Sequence, residues 1–185
     1  PDVLTSAEVA RYGEAVDRAV AARTASDLRA LEDKTRYEQS FVQCMRLWET
    51  DPDVVGLSFH KALAGIAAQL LGVPSVNLWQ DQALYKEPGG LETTAHQDQP
   101  FWPIGEAPLI SAWVPLNAVG LANGAMGYVP GSHLAGPLKV VDITHASEPY
   151  DVLKDPRLNG EVLKMVPVNP GSVIWHHGFT VHAAA

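Results

Sequence analysis

The chain has 185 residues, 46% of them hydrophobic and 18% charged. That is the balance of a globular protein able to bury a core, and it excludes an intrinsically disordered chain. A net charge of −8, with no run of Lys and Arg, excludes the basic stripe that grips nucleic acid or an anionic membrane, so the expected partner is a small molecule.

The first 73 residues read as a helical flank and residues 74–185 as a β-rich core, together one domain. In "TSAEVARYGEAVDRAVAAR", Thr5 and Glu8 stand at capping-box spacing, and Val9, Tyr12, Val16 and Val20 fall on one helical stripe. Asp27 to Lys34 is polar and reads as a loop or a weak helix. Cys44, the only cysteine, lies in "FVQCMRLWE", read here as an amphipathic helix carrying a plain buried thiol. A lone cysteine excludes an intramolecular disulfide and a Cys-based zinc site. "DPDVVGLSFHKALAGIAAQLLG" is expected to form one helix, with Asp51 as cap, Pro52 at its first position and Gly72 closing it. Leu63, Ile66, Leu70 and Leu71 would then face a core. No run is read as a membrane span or a signal peptide, which gives a cytoplasmic expectation. The chain opens on Pro1 without Met and stops at "VHAAA", so natural sequence is expected beyond both ends.

After Pro74 short β-rich runs alternate with turns. The runs are "SVNLWQ", "QALYK", "TTAHQ", "LISAWVPL", "AMGYVP", "LKVV", "LKMVPV", "SVIWH" and "TVHA"; the turns are "EPGG", "IGEAP", "ANGA", "PGSH", "LNGE" and "NPGS". About eight strands at such spacing predict an antiparallel sandwich or barrel. The fold class is therefore mainly β with N-terminal helices.

The chemistry is carried by "TTAHQDQPFW". On an extended strand His96 and Asp98 share one face and Gln97 the other, so an imidazole and a carboxylate could hold one ion. With seven His and eleven Asp in the chain, roughly 0.4 such tripeptides arise by chance, so the motif needs a third ligand. "GSVIWHHGFTVHAAA" supplies three candidates, His176, His177 and His182, and spacing does not choose among them. Two His and one carboxylate on a triangular face leave three positions open, as suits non-haem Fe(II). His60 reads as a packed or surface histidine of the second helix, His133 as the brace of a turn and His145 as solvated, none with an acidic partner at ligand spacing. No nucleophile elbow, phosphate loop, zinc-protease or dinucleotide motif is present.

Four stretches, in order, resemble the phytanoyl-CoA dioxygenase family of Fe(II)- and 2-oxoglutarate-dependent oxygenases. They are "LYKEPGG", "TTAHQDQPFW", "SAWVPLNAVGLANGAMGYVPGSHLAGP" and "GSVIWHHGFTVHAAA", and they cover about residues 75 to 185. The resemblance implies a double-stranded β-helix (jelly-roll, cupin-like) core. It implies His96, Asp98 and His182 as catalytic metal ligands, with His177 as runner-up and His176 third, and Lys86 and Trp113 as contacts of the cosubstrate. It implies Fe(II), 2-oxoglutarate, dioxygen and a small organic substrate oxidised at a C–H bond, with succinate and CO2 as coproducts. Asp98 points to hydroxylation, since halogenases of this kind carry a small residue there. Gln99, Phe101 and Trp102 lie where a substrate could rest. The family's Arg anchor for the far carboxylate, about ten residues past the distal His, falls beyond Ala185; Arg46 and Arg157 are cations found elsewhere. The rival expectations are a cupin-like isomerase or hydrolase, and a ligand-binding member without turnover.

Overall fold

The computed structural model describes residues 2–105, 108–146 and 148–185. Helix α1 (Ser6–Thr24) begins where the pattern placed it: Glu8 N donates to Thr5 Oγ1 at 3.2 Å, and Thr5 N donates to the Glu8 carboxylate at 2.8 Å. Its buried stripe is Tyr12, Ala15, Val16, Ala19 and Val20. A short α2 (Arg36–Ser40) repeats the capping box with Thr35 and Glu38.

The segment around Cys44 is a strand and not a helix. Strand β1 (Val42–Met45) pairs antiparallel with β2 (Gln82–Tyr85), with Cys44 opposite Ala83. Alternation in "FVQCM" sends Val42 and Cys44 one way, and Cys44 packs against Ala15, Val16, Ala19 and Val20 of α1. So short an apolar run fits either period, and pairing with β2 decides it. The thiol is buried as expected, and that burial pushes its pKa up.

The expected long helix is two helices, α3 (Pro52–Ser58) and α4 (Lys61–Leu71). Asp51 caps the first and left-handed Gly72 closes the second, but the chain breaks at Phe59 and His60. His60 is therefore not inside a helix, and it has an acidic partner: its Nε2 lies 3.2 Å from Glu8 Oε1 of α1. This contact ties the break to the first turn of α1. In α4 only Ala67 is buried, and Leu70 is 57% exposed, against the expectation of a core face. Over Pro52–Leu71 the mean hydropathy reaches 1.4, so this stretch does have the length and composition of a membrane span, although the break leaves two shorter helices.

The β-rich region forms two antiparallel sheets besides the β1–β2 pair. One has the order β3 (Thr93–His96), β8 (His182–Ala184), β5 (Met126–Tyr128), β6 (Lys164–Val166); the other pairs β4 (Ile110–Trp113) with β7 (Ile174–His177). The expected strands at "SVNLWQ" and "LKVV" are not formed. The "IGEAP" turn lies partly outside the described residues. Alternation gives the four-stranded sheet two different faces. Ala95, Val129, Val181 and Ala183 point into a core completed by Leu138, Val141, Val152 and Leu158 from the β5–β6 excursion. The residues between them, His96, Tyr128 and His182, point to the other side, toward β4 and β7. At the edge, Gly171 (φ +91°) turns the chain into β7, and its carbonyl accepts Val3 N and Leu4 N. A Cβ there would stand 2.7 Å from the Leu4 carbonyl oxygen.

Candidate metal centre

The register of the four-stranded sheet sets the site. His96 of β3 lies directly opposite His182 of β8, which in turn lies opposite Tyr128 of β5. Cross-strand partners share a face, and the two imidazole rings stand 4.5 Å apart. Asp98 arrives differently from the expectation. The strand ends at His96, and Asp98 has turned to helical angles (φ −74°, ψ −46°) at the head of a 3-10 turn. It still faces His96: Asp98 Oδ1 lies 3.6 Å from His96 Nε2 and 3.5 Å from His182 Nε2. One ligand atom from each of the three residues falls within 4.8 Å of the others.

Both histidines are oriented from behind. His96 Nδ1 lies 2.7 Å from the Thr94 carbonyl, and His182 Nδ1 lies 2.9 Å from the Thr180 carbonyl. A carbonyl can only accept, so each Nδ1 carries the proton, and each Nε2 is left for an ion or for a proton shared with Asp98. Gln97 is turned away, as the pleat predicts. It is buried, its amide nitrogen donates to the carbonyls of Gly136 (3.0 Å) and Phe179 (2.7 Å), and its oxygen accepts Leu138 N (2.8 Å).

The other two candidate histidines part company. His177 turns to the outer side of β7: its Nδ1 accepts Phe179 N, and its ring lies 5.6 Å from His133. His176 points inward, and its Nε2 lies 3.2 Å from Asp98 Oδ2. That contact was missed by sequence reasoning, although a doubled His176–His177 on one strand must send one ring to each face. Ser111 of β4, opposite His176, donates to the same oxygen at 3.3 Å.

Burial alone would push the Asp98 carboxyl up; the surrounding imidazoles, His182 foremost, then His176 at hydrogen-bond distance and His96, outweigh it and hold the pKa well below the carboxylate range. The expected result is a side-chain 13C titration of Asp98, in metal-free protein, with its midpoint below 3.8. The linked stability is present above the unfolded pKa of about 3.9 and is lost as pH falls through the folded value. A midpoint at or above 3.8 would contradict it.

The remaining expected residues lie as follows. Trp113 is two residues from Ser111 on β4, hence on the inner face, and half-buried. The Lys86 stem crosses left-handed Gly124 of the Asn-Gly turn, and its Nζ donates to the Leu91 carbonyl at 2.5 Å. Phe101 is 42% exposed, its ring edge-on to that of His96 with centroids 6.2 Å apart, whereas Gln99 is buried against Gly178. Trp102 is half-buried beside them. Arg46 pairs with Glu49, and Arg157 with Asp155. Neither contact is with the His–Asp–His cluster.

This geometry coincides with a family profile, phytanoyl-CoA dioxygenase (PhyH), which matches residues 1–185. The chain belongs to the phytanoyl-CoA dioxygenase family. Among curated relatives, bovine phytanoyl-CoA dioxygenase domain-containing protein 1 is 29% identical over 130 residues, covering 66% of this chain and 43% of that protein. The chain thus spans less than half of that relative's length. Among solved structures it is similar to SnoK, a non-haem alpha-ketoglutarate-dependent carbocyclase from nogalamycin biosynthesis. The identity is 30% and the TM-score 0.75, over 98% of this chain and 70% of that one. It is also similar to the epimerase SnoN in complex with Fe3+, alpha-ketoglutarate and nogalamycin RO, at 25% identity and TM-score 0.74, over 100% of this chain and 70% of that one. The jelly-roll core is shared with these oxygenases, and the two facing antiparallel sheets here are its layers.

Proposed function

We propose that this chain is the core of an Fe(II)- and 2-oxoglutarate-dependent dioxygenase that oxidises a C–H bond of a small organic molecule, with His96, Asp98 and His182 as the metal ligands. The observation that carries this reading is the matched hydrogen bonding of His96 and His182. Each Nδ1 is committed to a carbonyl two residues back, and each Nε2 faces the same carboxylate oxygen. A set of two imidazole nitrogens and one carboxylate, with its outer hydrogen bonds already made, fits a divalent ion that must keep positions open. The chemistry such a centre supplies is activation of dioxygen at the cost of the cosubstrate, which leaves as succinate and CO2 while the substrate is oxidised.

The chain's own residues bind and orient. Asp98 offsets one of the ion's two charges, and its depressed pKa keeps it ionised without an ion. Trp113, on the inner face, is available to the cosubstrate. Lys86 would have to exchange the Leu91 carbonyl for a carboxylate, and burial already lowers its pKa, favouring any partner that returns negative charge. Phe101, exposed beside His96, is the side chain best placed to meet a substrate.

The test is anaerobic titration of the metal-free protein with Fe(II) and then 2-oxoglutarate, watching for the visible charge-transfer band of the chelate, followed by a succinate assay in air. A band with succinate supports the proposal. Bound metal with neither band nor succinate would overturn it in favour of a cupin-like isomerase or hydrolase, or a binding protein. A band without succinate would overturn catalysis and keep binding.

A further inference from the structure

The His–Asp–His reading leaves His176 without a task, yet it is among the most deeply placed polar groups of the molecule. Its side chain is 6% exposed, its Nε2 lies 3.2 Å from Asp98 Oδ2, and its ring stands 5.3 Å from that of Tyr128. Its Nδ1 is buried and has no hydrogen-bond partner among the described residues. A carboxylate accepts only, so Nε2 carries the proton and Nδ1 the lone pair. This is the opposite tautomer from His96 and His182, where a carbonyl takes the proton of Nδ1. Three imidazoles thus surround one carboxylate, and their second partners sort them into two kinds.

The carboxylate is divided in the same way. Oδ1 faces His96 and His182, while Oδ2 receives His176 Nε2 and Ser111 Oγ. Resting on the ligand assignment above, we propose that His176, supported by Ser111, is a positioning residue that holds Asp98 so that one oxygen alone is offered to the ion. The consequence is a matter of counting. A six-coordinate ion with three protein donor atoms keeps three positions, enough for a two-point cosubstrate and dioxygen. If both carboxylate oxygens bound, two positions would remain and a two-point cosubstrate would fill them. A hydrogen-bonded pair of donors on the outer oxygen prevents that, and β4 and β7 bring both in because Ser111 and His176 are directly opposite each other.

The test reads metal binding with Co(II) as probe, by titration and visible spectrum, in wild type, His176→Leu, His176→Gln and Ser111→Ala. Loss of a group holding a ligand typically costs 10–100-fold in metal affinity, and His176→Leu should fall in that range. Its Co(II) bands should weaken as the carboxylate swings to two-point binding. His176→Gln, whose amide can donate to Oδ2, should return to within about threefold of wild type, and Ser111→Ala should lose less than about tenfold. Wild-type affinity and spectrum in His176→Leu would overturn the proposal. So would a Gln variant as impaired as the Leu variant, which would mark His176 as a ligand in its own right. Should His176→Leu not fold, the Gln and Ser111→Ala pair decides: recovery in the first with partial loss in the second supports positioning, and full loss in the first refutes it. Because Co(II) binding needs neither 2-oxoglutarate nor turnover, failure of the oxygenase reading would show separately, as a missing chelate band in wild type.

Discussion

Asp98→Ala is expected to return from purification without metal and to lose at least about three orders of magnitude in metal affinity and in succinate formation, on the order of 4 kcal/mol. The size follows from what the carboxylate does. It is the one anion facing His96, His182 and His176 in the described structure, and its side chain is 17% exposed. Removing it leaves two neutral nitrogens to hold a doubly charged ion in a partly dry cleft. It also leaves His176 Nε2 and Ser111 Oγ without their acceptor. Metal analysis by atomic emission and a succinate assay with added Fe(II) check the result. An alanine variant that retains metal at wild-type level would show that the ligand set lies elsewhere.

Gln97→Leu should destabilise the fold by about 3 kcal/mol or more, a large share of a typical domain's total. The leucine fills a similar volume, so packing is nearly conserved, but three backbone groups lose their partner: the buried N–H of Leu138 and the partly buried carbonyls of Gly136 and Phe179. Each unsatisfied group costs about 1–3 kcal/mol. Urea unfolding followed by tryptophan fluorescence measures it. Gln97→Glu should cost at least as much, since it keeps the acceptor for Leu138 N but sets a second acceptor oxygen against the carbonyls of Gly136 and Phe179. A loss below about 1 kcal/mol in the Leu variant would mean that water takes over these bonds. Since Phe179 lies in the turn that leads from β7 to His182, metal affinity should fall with stability.

How much of this was legible depends on the range of the signal. The capping box of α1 and the Gly72 stop are local, and they were read at the right residues. His96 and Asp98 were read as a pair because they stand two positions apart, though Asp98 reaches its place by a turn and not by continuing the strand. The distal histidine was not legible from spacing. What separates His182 from His176 and His177 is register: β8 pairs with β3 and sets His182 beside His96, whereas β7 pairs with β4 in the other sheet. Only the family resemblance singled out His182 at the sequence level. β1 was misread because so short a run does not separate a strand from a helix, and the break at His60 was not seen because the residue it meets, Glu8, is 52 positions away.

The pairing of His96 with His182 also bears on the order of events in folding. These residues are 86 positions apart (182 − 96) and meet only through the β3–β8 ladder. Closing a loop of that length costs about 4 kcal/mol beyond a constant, so this ladder is among the slower contacts to form. His96 and Asp98 alone offer an incoming ion a weak, mobile foothold. An ion that requires the closed ladder therefore acts after the rate-limiting step of folding. It should leave the folding rate nearly unchanged and slow the unfolding rate, so that metal acts on this fold as a latch rather than a nucleus.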